Sequence, residues 1–119
     1  MPITMHPEGE RTVRLEFEGV LRKPDLARCE SELAGQLARS GSLKLLCVLT
    51  RFEGWDPELD SHNLAFYLKH GDGIARIAIV GDERWRGEAL MFAVADLRRA
   101  PVEFFTADKL AEARAWLAA

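Results

Sequence analysis

Four carboxylates stand just behind two predicted strands: Glu53 and Asp56 after Leu43 to Thr50, Asp82 and Glu83 after Ile74 to Val80. Two acids at neighbouring strand ends can divide proton transfer between them, one donating while the other accepts. Glu53 and Asp82 would be the working pair of a small hydrolase or isomerase. The same residues also have a structural use. Asp56 precedes Pro57 and Glu58, and Asp82 precedes Glu83, where a starting helix needs its free amides capped. Capping is the stronger reading of both aspartates.

Other routes to chemistry are poorly equipped. Cys29 and Cys47 fall on apolar stripes, where cysteine acts as a small buried hydrophobe, and both are read as reduced. Neither has a base and an orienting carboxylate at hand, so a covalent nucleophile is not expected. His62 and His70 are eight residues apart, which matches no metal-binding helix spacing, and His6 stands alone. Gly71-Asp72-Gly73 precedes a strand instead of following one, the reverse of a dinucleotide-binding turn. No metal or cofactor is expected. Aromatic rings are better placed: Phe52, Trp55 and Trp85, with Asp82, would converge over the carboxyl ends of adjacent strands, either lining a site or packing as core.

The elements that position these residues follow from the apolar periods. Ile74 to Val80 carries six apolar residues in seven, the pattern of a strand covered on both faces in a parallel sheet. Thr12 to Gly19 alternates, with Val13, Leu15 and Phe17 on one side, and is read as an edge strand with one wet face. Ile3 to His6 is a short candidate partner for it through the turn Pro7 to Glu10. From Pro24 the period becomes helical, with Leu26, Cys29, Leu33 and Leu37 on one stripe as far as Ser40-Gly41. Leu43 to Thr50 is the next strand, followed by a loop Arg51 to Trp55. A second helix is predicted from Asp56 to about His70, and a third from Asp82 to about Arg99, where Ala100-Pro101 breaks it. Val102 to Phe105 forms a last strand, and Thr106 is expected to cap a helix with Leu110, Ala113 and Leu117 inward.

Strands alternating with helices imply βαβ units, hence one α/β domain over residues 1–119. The expected architecture is a (βα)n superhelix with a mostly parallel sheet of four to five strands, the first at an edge, and about four helices. Helices gathered on one face would leave the other to the N-terminal hairpin, a late helix or a second subunit. The third helix is apolar nearly all round, because Met91 and Val94 point away from the stripe of Trp85, Ala89 and Phe92. Either the same fold or a second copy should cover them, a homodimer in the second case.

Composition narrows the setting. The 119 residues carry 16 basic and 19 acidic side chains, net charge -3, without the cationic excess a nucleic-acid partner calls for. Met1 to Arg11 is polar and charged instead of apolar, and the longest strictly apolar run, Ala89 to Ala95, is far shorter than a membrane span. A cytoplasmic location is expected, away from any membrane surface.

From about Val13 to Leu117 the chain resembles the SpoIIAA-like group, related to STAS and SEC14 (CRAL-TRIO) domains. The likeness rests on Gly54-Trp55-Asp56, on Lys69-His70 followed by Ile74 to Asp82 with Arg84-Trp85, and on Glu112-Ala113 with Trp116-Leu117. The resemblance implies a small non-catalytic module. It would bind a regulatory protein, as anti-sigma-factor antagonists do, or a small apolar ligand, as SEC14 relatives do. Those antagonists are switched by phosphorylation of a Ser or Thr where the helix after a central strand begins. This chain has Asp56-Pro57-Glu58 there, with Ser61 a turn inside and Thr50 before the loop, so a phosphate switch is not expected at that position, and a permanent negative charge at Asp56 would resemble the modified state. The sequence reading is therefore a binding or regulatory module with Phe52, Trp55, Asp82 and Trp85 at its site.

Overall fold

The computed structural model describes residues 3–9, 11–56, 73–92 and 101–119. Its centre is a five-stranded sheet in the order β1 (Ile3–Pro7), β2 (Thr12–Leu21), β3 (Leu43–Trp55), β4 (Ile74–Gly81), β5 (Val102–Thr106). β1 is antiparallel to β2, and every later neighbour pair is parallel. The described helices are α1 (Lys23–Ser40), α2 (Arg86–Phe92) and α3 (Leu110–Ala118). The helix expected from Asp56 to His70 lies almost wholly outside the described residues, as does the third predicted helix beyond Phe92.

Two details of the sheet differ from expectation. The edge belongs to β1, while β2, read as the edge strand, lies between β1 and β3. Its wet-looking side is only half-exposed, because Glu8 in the turn holds Arg14 (2.8 Å) on β2 and Arg114 (2.5 Å) on α3. β3 is also longer than predicted, since Arg51 to Trp55 remain in the sheet opposite Glu18 to Leu21. The pairing slips between Glu16 and Glu18 and again between Gly19 and Val20. Each bulge adds a residue to β3 and breaks the two-residue alternation, and the first, before Arg51, turns Phe52 to the same core as Leu49. A strand whose alternation breaks reads as a loop in sequence.

α1 forms as its stripe requires. Pro24 sits in the first turn, and Gly41, with φ +83°, ends the helix by donating its amide to the Leu37 carbonyl at 2.8 Å. Leu26, Cys29, Leu33 and Leu37 are buried against Val13, Leu15, Phe17, Leu45 and Ile77 in the larger core. Ala89 of α2 joins the same core.

The opposite face is closed by α3, the late helix. Ala113 and Leu117 lie against Leu46, Val48, Ala78 and Val80. Ala78 and Ala113 are both 0% exposed, so small side chains on both sides let the helix approach the sheet closely. β4 is thus covered on both faces, Ile77 and Ile79 toward one core and Ala78 and Val80 toward the other. Lys44 and Arg76, register partners on β3 and β4, donate to the last carbonyls of α3, Leu117 and Trp116, each at 2.5 Å. Cations there also complement the negative end of the helix dipole. Thr106 does not cap α3. Its hydroxyl donates to the Asp108 carboxylate at 2.6 Å, holding that group below the usual carboxylate range, and the tight turn Ala107–Lys109 intervenes before the helix.

Candidate functional site

The carboxyl ends of β3 and β4 bring together three of the four residues expected at the site, Phe52, Asp82 and Trp85. Phe52 and Trp85 meet edge to face, their centroids 4.9 Å apart, and Phe52 meets Phe17 at 6.3 Å. Phe52 is only 4% exposed, so it supports the rim from beneath without forming its surface. Trp85 is half-buried and lies over Gly54, where a Cβ would stand 3.8 Å from its Cη2. Gly54 adopts φ +140°, a conformation other residues rarely accept, so the bulged end of β3 fixes the platform on which the indole rests.

Asp82 orients the tryptophan. Its backbone is extended, its carboxylate accepts the Arg84 amide at 3.0 Å, and its carbonyl accepts the Trp85 amide at 2.9 Å. This is the capping role, here at the tight turn Glu83–Trp85 that leads into α2. The Arg84 guanidinium stacks over the Trp85 ring at 4.8 Å, and Arg86 pairs with Glu83 at 2.6 Å. The backbone of Trp55 pairs with Leu21, while its side chain lies outside the described residues. The side chains of Met91 and Val94, expected at an interface, lie outside them too. Glu53 is exposed on β3.

Sequence reasoning missed three parts of this rim. Arg84 was not singled out for the site, although a cation next to a tryptophan is a stacking signal. Val20, 42% exposed, is the one large apolar side chain left open among the described residues, and it pairs with Gly54 across the strands. Gly81 was not singled out for the site. In the fold it lets β4 end close to β3, since a Cβ there would stand 2.8 Å from the Leu49 Cβ.

Two perturbed groups lie elsewhere, on α1. Burial, with smaller contributions from Glu30 and Glu32, pushes the Cys29 thiol up to about 12, so it holds almost no thiolate at neutral pH and is a poor nucleophile. Burial likewise raises the Glu30 carboxyl to about 7, and its Oε2 has no hydrogen-bond partner among the described residues. Cys29 is a free, buried thiol. Among the described residues no three His, Cys, Asp or Glu side chains gather as a metal site, and no helix is long and apolar enough to cross a membrane. Two hollows, of about 370 and 270 Å³, follow the seam between β1 and α1 and share no lining residue with the rim.

Helices on both faces of a mixed, mostly parallel sheet, with a turn-borne indole at its carboxyl end, define a small α/β domain. The chain belongs to the SpoIIAA-like family, whose model matches residues 12–118. Its fold is similar to that of an uncharacterized protein of the DUF3478 family with a SpoIIAA-like fold from Shewanella loihica PV-4. That match has a TM-score of 0.75 and 21% identity over 97% of this chain and 91% of that one. The anti-sigma factor antagonist SpoIIAA in its unphosphorylated form is also similar, with a TM-score of 0.65 and 11% identity over 96% of this chain and 97% of that one. No curated protein sequence matches the chain. These likenesses bear out the expected fold class and family.

Proposed function

We propose that this chain is a non-catalytic regulatory module that binds a protein partner at the carboxyl end of its sheet. Trp55, Asp82 and Trp85 form the contact surface and Phe52 supports it. The observation that carries the reading is the Arg84–Trp85 stack, seated on Gly54 and backed by Phe52, beside exposed Val20. A rigid, partly desolvated aromatic with an arginine is the usual composition of an interface hot spot. The anti-sigma factor antagonist among the structural neighbours supports a regulatory protein as the partner class.

An apolar small molecule is less well supported at this rim, because Phe52 already belongs to the core. The acid and base alternative is weakened by the amide that Asp82 caps. Asp82→Asn in an activity screen on esters, phosphates and enolisable ketones tests that alternative. The buried, free Cys29 is in keeping with a reducing, cytoplasmic setting. Homodimer formation through Met91 and Val94 is a separate proposal, tested by the mass of Met91→Glu in light scattering. To test the main reading, partners are captured from cells expressing the chain and the purified complex is titrated by calorimetry. Trp85→Ala should weaken binding by about thirty-fold and Arg84→Glu by about ten-fold. Wild-type affinity in the folded Arg84→Glu and Trp85→Ala proteins would contradict the reading.

A further inference from the structure

The register of the N-terminal hairpin determines which backbone groups face outward at the sheet edge. β1 and β2 pair so that residue numbers sum to twenty, and the Glu8 amide donates to the Thr12 carbonyl at 2.9 Å in the same register. In an antiparallel ladder, pairs that exchange hydrogen bonds alternate with pairs that do not. Since Glu8 and Thr12 form a bonded pair, so do His6 with Arg14 and Thr4 with Glu16. The amides and carbonyls of Ile3, Met5 and Pro7 therefore point away from β2. Pro7, which has no N–H, occupies one of these outward positions, where it costs the ladder nothing. Ile3 is 7% exposed, so among the described residues the open stretch runs from Met5 to Pro7.

That stretch borders both hollows of the seam, and Met5, His6 and Glu32 line each of them. The larger is floored by Ile3, Met5 and Cys29. Charges at its mouth are unequally matched. Asp25 is paired with Arg28 at 2.5 Å, whereas exposed Glu32 has no ion-pair partner among the described residues.

We propose that the β1 edge is a second protein-docking surface, which takes an extended segment of a partner as a sixth strand. The segment receives main-chain hydrogen bonds at Met5 and the Pro7 carbonyl. It places an apolar side chain in the 370 Å³ hollow and a lysine or arginine against Glu32. The outward backbone groups select an extended chain over a helix, and the free carboxylate selects a cation. This surface is separate from the Trp85 rim and does not depend on it.

Amide hydrogen exchange of the whole chain, followed by NMR, is the first test. In the free protein the Met5 amide should exchange faster than those of Thr4 and His6, which β2 already holds. Equal protection of all three would mean the edge is already occupied and would overturn the proposal. A random peptide library displayed on phage is then panned against the chain. Enriched peptides should place an apolar residue and a Lys or Arg on one side of an extended strand. A synthetic copy should slow exchange at Met5 without slowing it further at His6, and Glu32→Lys, a surface change, should weaken it about ten-fold. Three outcomes would overturn the assignment: peptides that leave Met5 unprotected, peptides indifferent to Glu32→Lys, or Met5 protected only in a dimer of the chain itself.

Discussion

The two faces of the sheet are held in different ways. On the α1 face, eighteen buried residues among those described, from two helices and all five strands, form one continuous core. On the α3 face the described residues bury six, and Lys44, Arg76 and the Glu8–Arg114 pair fasten the helix at its C-terminus and flank. The first face is stabilised chiefly by apolar area, the second by close fit and directed polar contacts. A helix of nine residues with two buried side chains has little area of its own, so the charges at its C-terminus do proportionally more to keep it in place.

Substitutions graded by expected effect test this contrast. Leu33→Ala, at the centre of the α1 stripe, should cost about 3 kcal/mol in urea unfolding, through lost burial and the cavity left behind. Ala113→Leu should cost about 2 kcal/mol by overpacking a site that has no free space. Ala→Leu at exposed Ala27 of α1 should be nearly neutral, which separates fit from size. Lys44→Met and Arg76→Met should each cost about 1 kcal/mol, and Arg76→Met also removes a guanidinium 5.1 Å above the Trp116 ring. A larger loss from Lys44→Met than from Leu33→Ala would reverse the proposed contrast.

The smallest effect depends on pH. Glu30 is raised from 4.5 to about 7 by burial, so the folded chain favours its protonated form. Its contribution to stability is therefore complete below about 4.5 and is lost as pH rises through about 7. Glu30→Gln should change stability little in acid and raise it in mildly alkaline buffer, by less than about 1 kcal/mol because the group is half exposed. Thermal melts across that range measure it. A stabilisation that is the same at every pH would show that ionisation is not the cause.

The covered strand Ile74 to Val80, the α1 stripe and the inward pair Ala113 and Leu117 were all readable, because each keeps one period against one neighbour. The far end of β3 was not. Its first bulge reverses the alternation before Phe52, and the cause is the pairing with β2, which local sequence does not contain. The roles of Lys44 and Arg76 are not local for a similar reason, since their partners, the carbonyls of Leu117 and Trp116, lie 73 and 40 residues away. At the site, Asp82 and the meeting of Phe52 with Trp85 followed from strand-end logic. That Phe52 lies beneath the rim and Arg84 on top of it required the turn geometry of Asp82 to Trp85.

Chemical-shift mapping of the isotopically labelled chain, titrated with a protein captured as its proposed partner, tests most directly whether the Trp85 rim is the contact surface. Changes should concentrate at Val20, Gly54, Asp82, Arg84 and the Trp85 indole, with the α3 face silent. Changes confined to α3 and its surroundings, with the Trp85 indole resonance unmoved, would contradict that assignment.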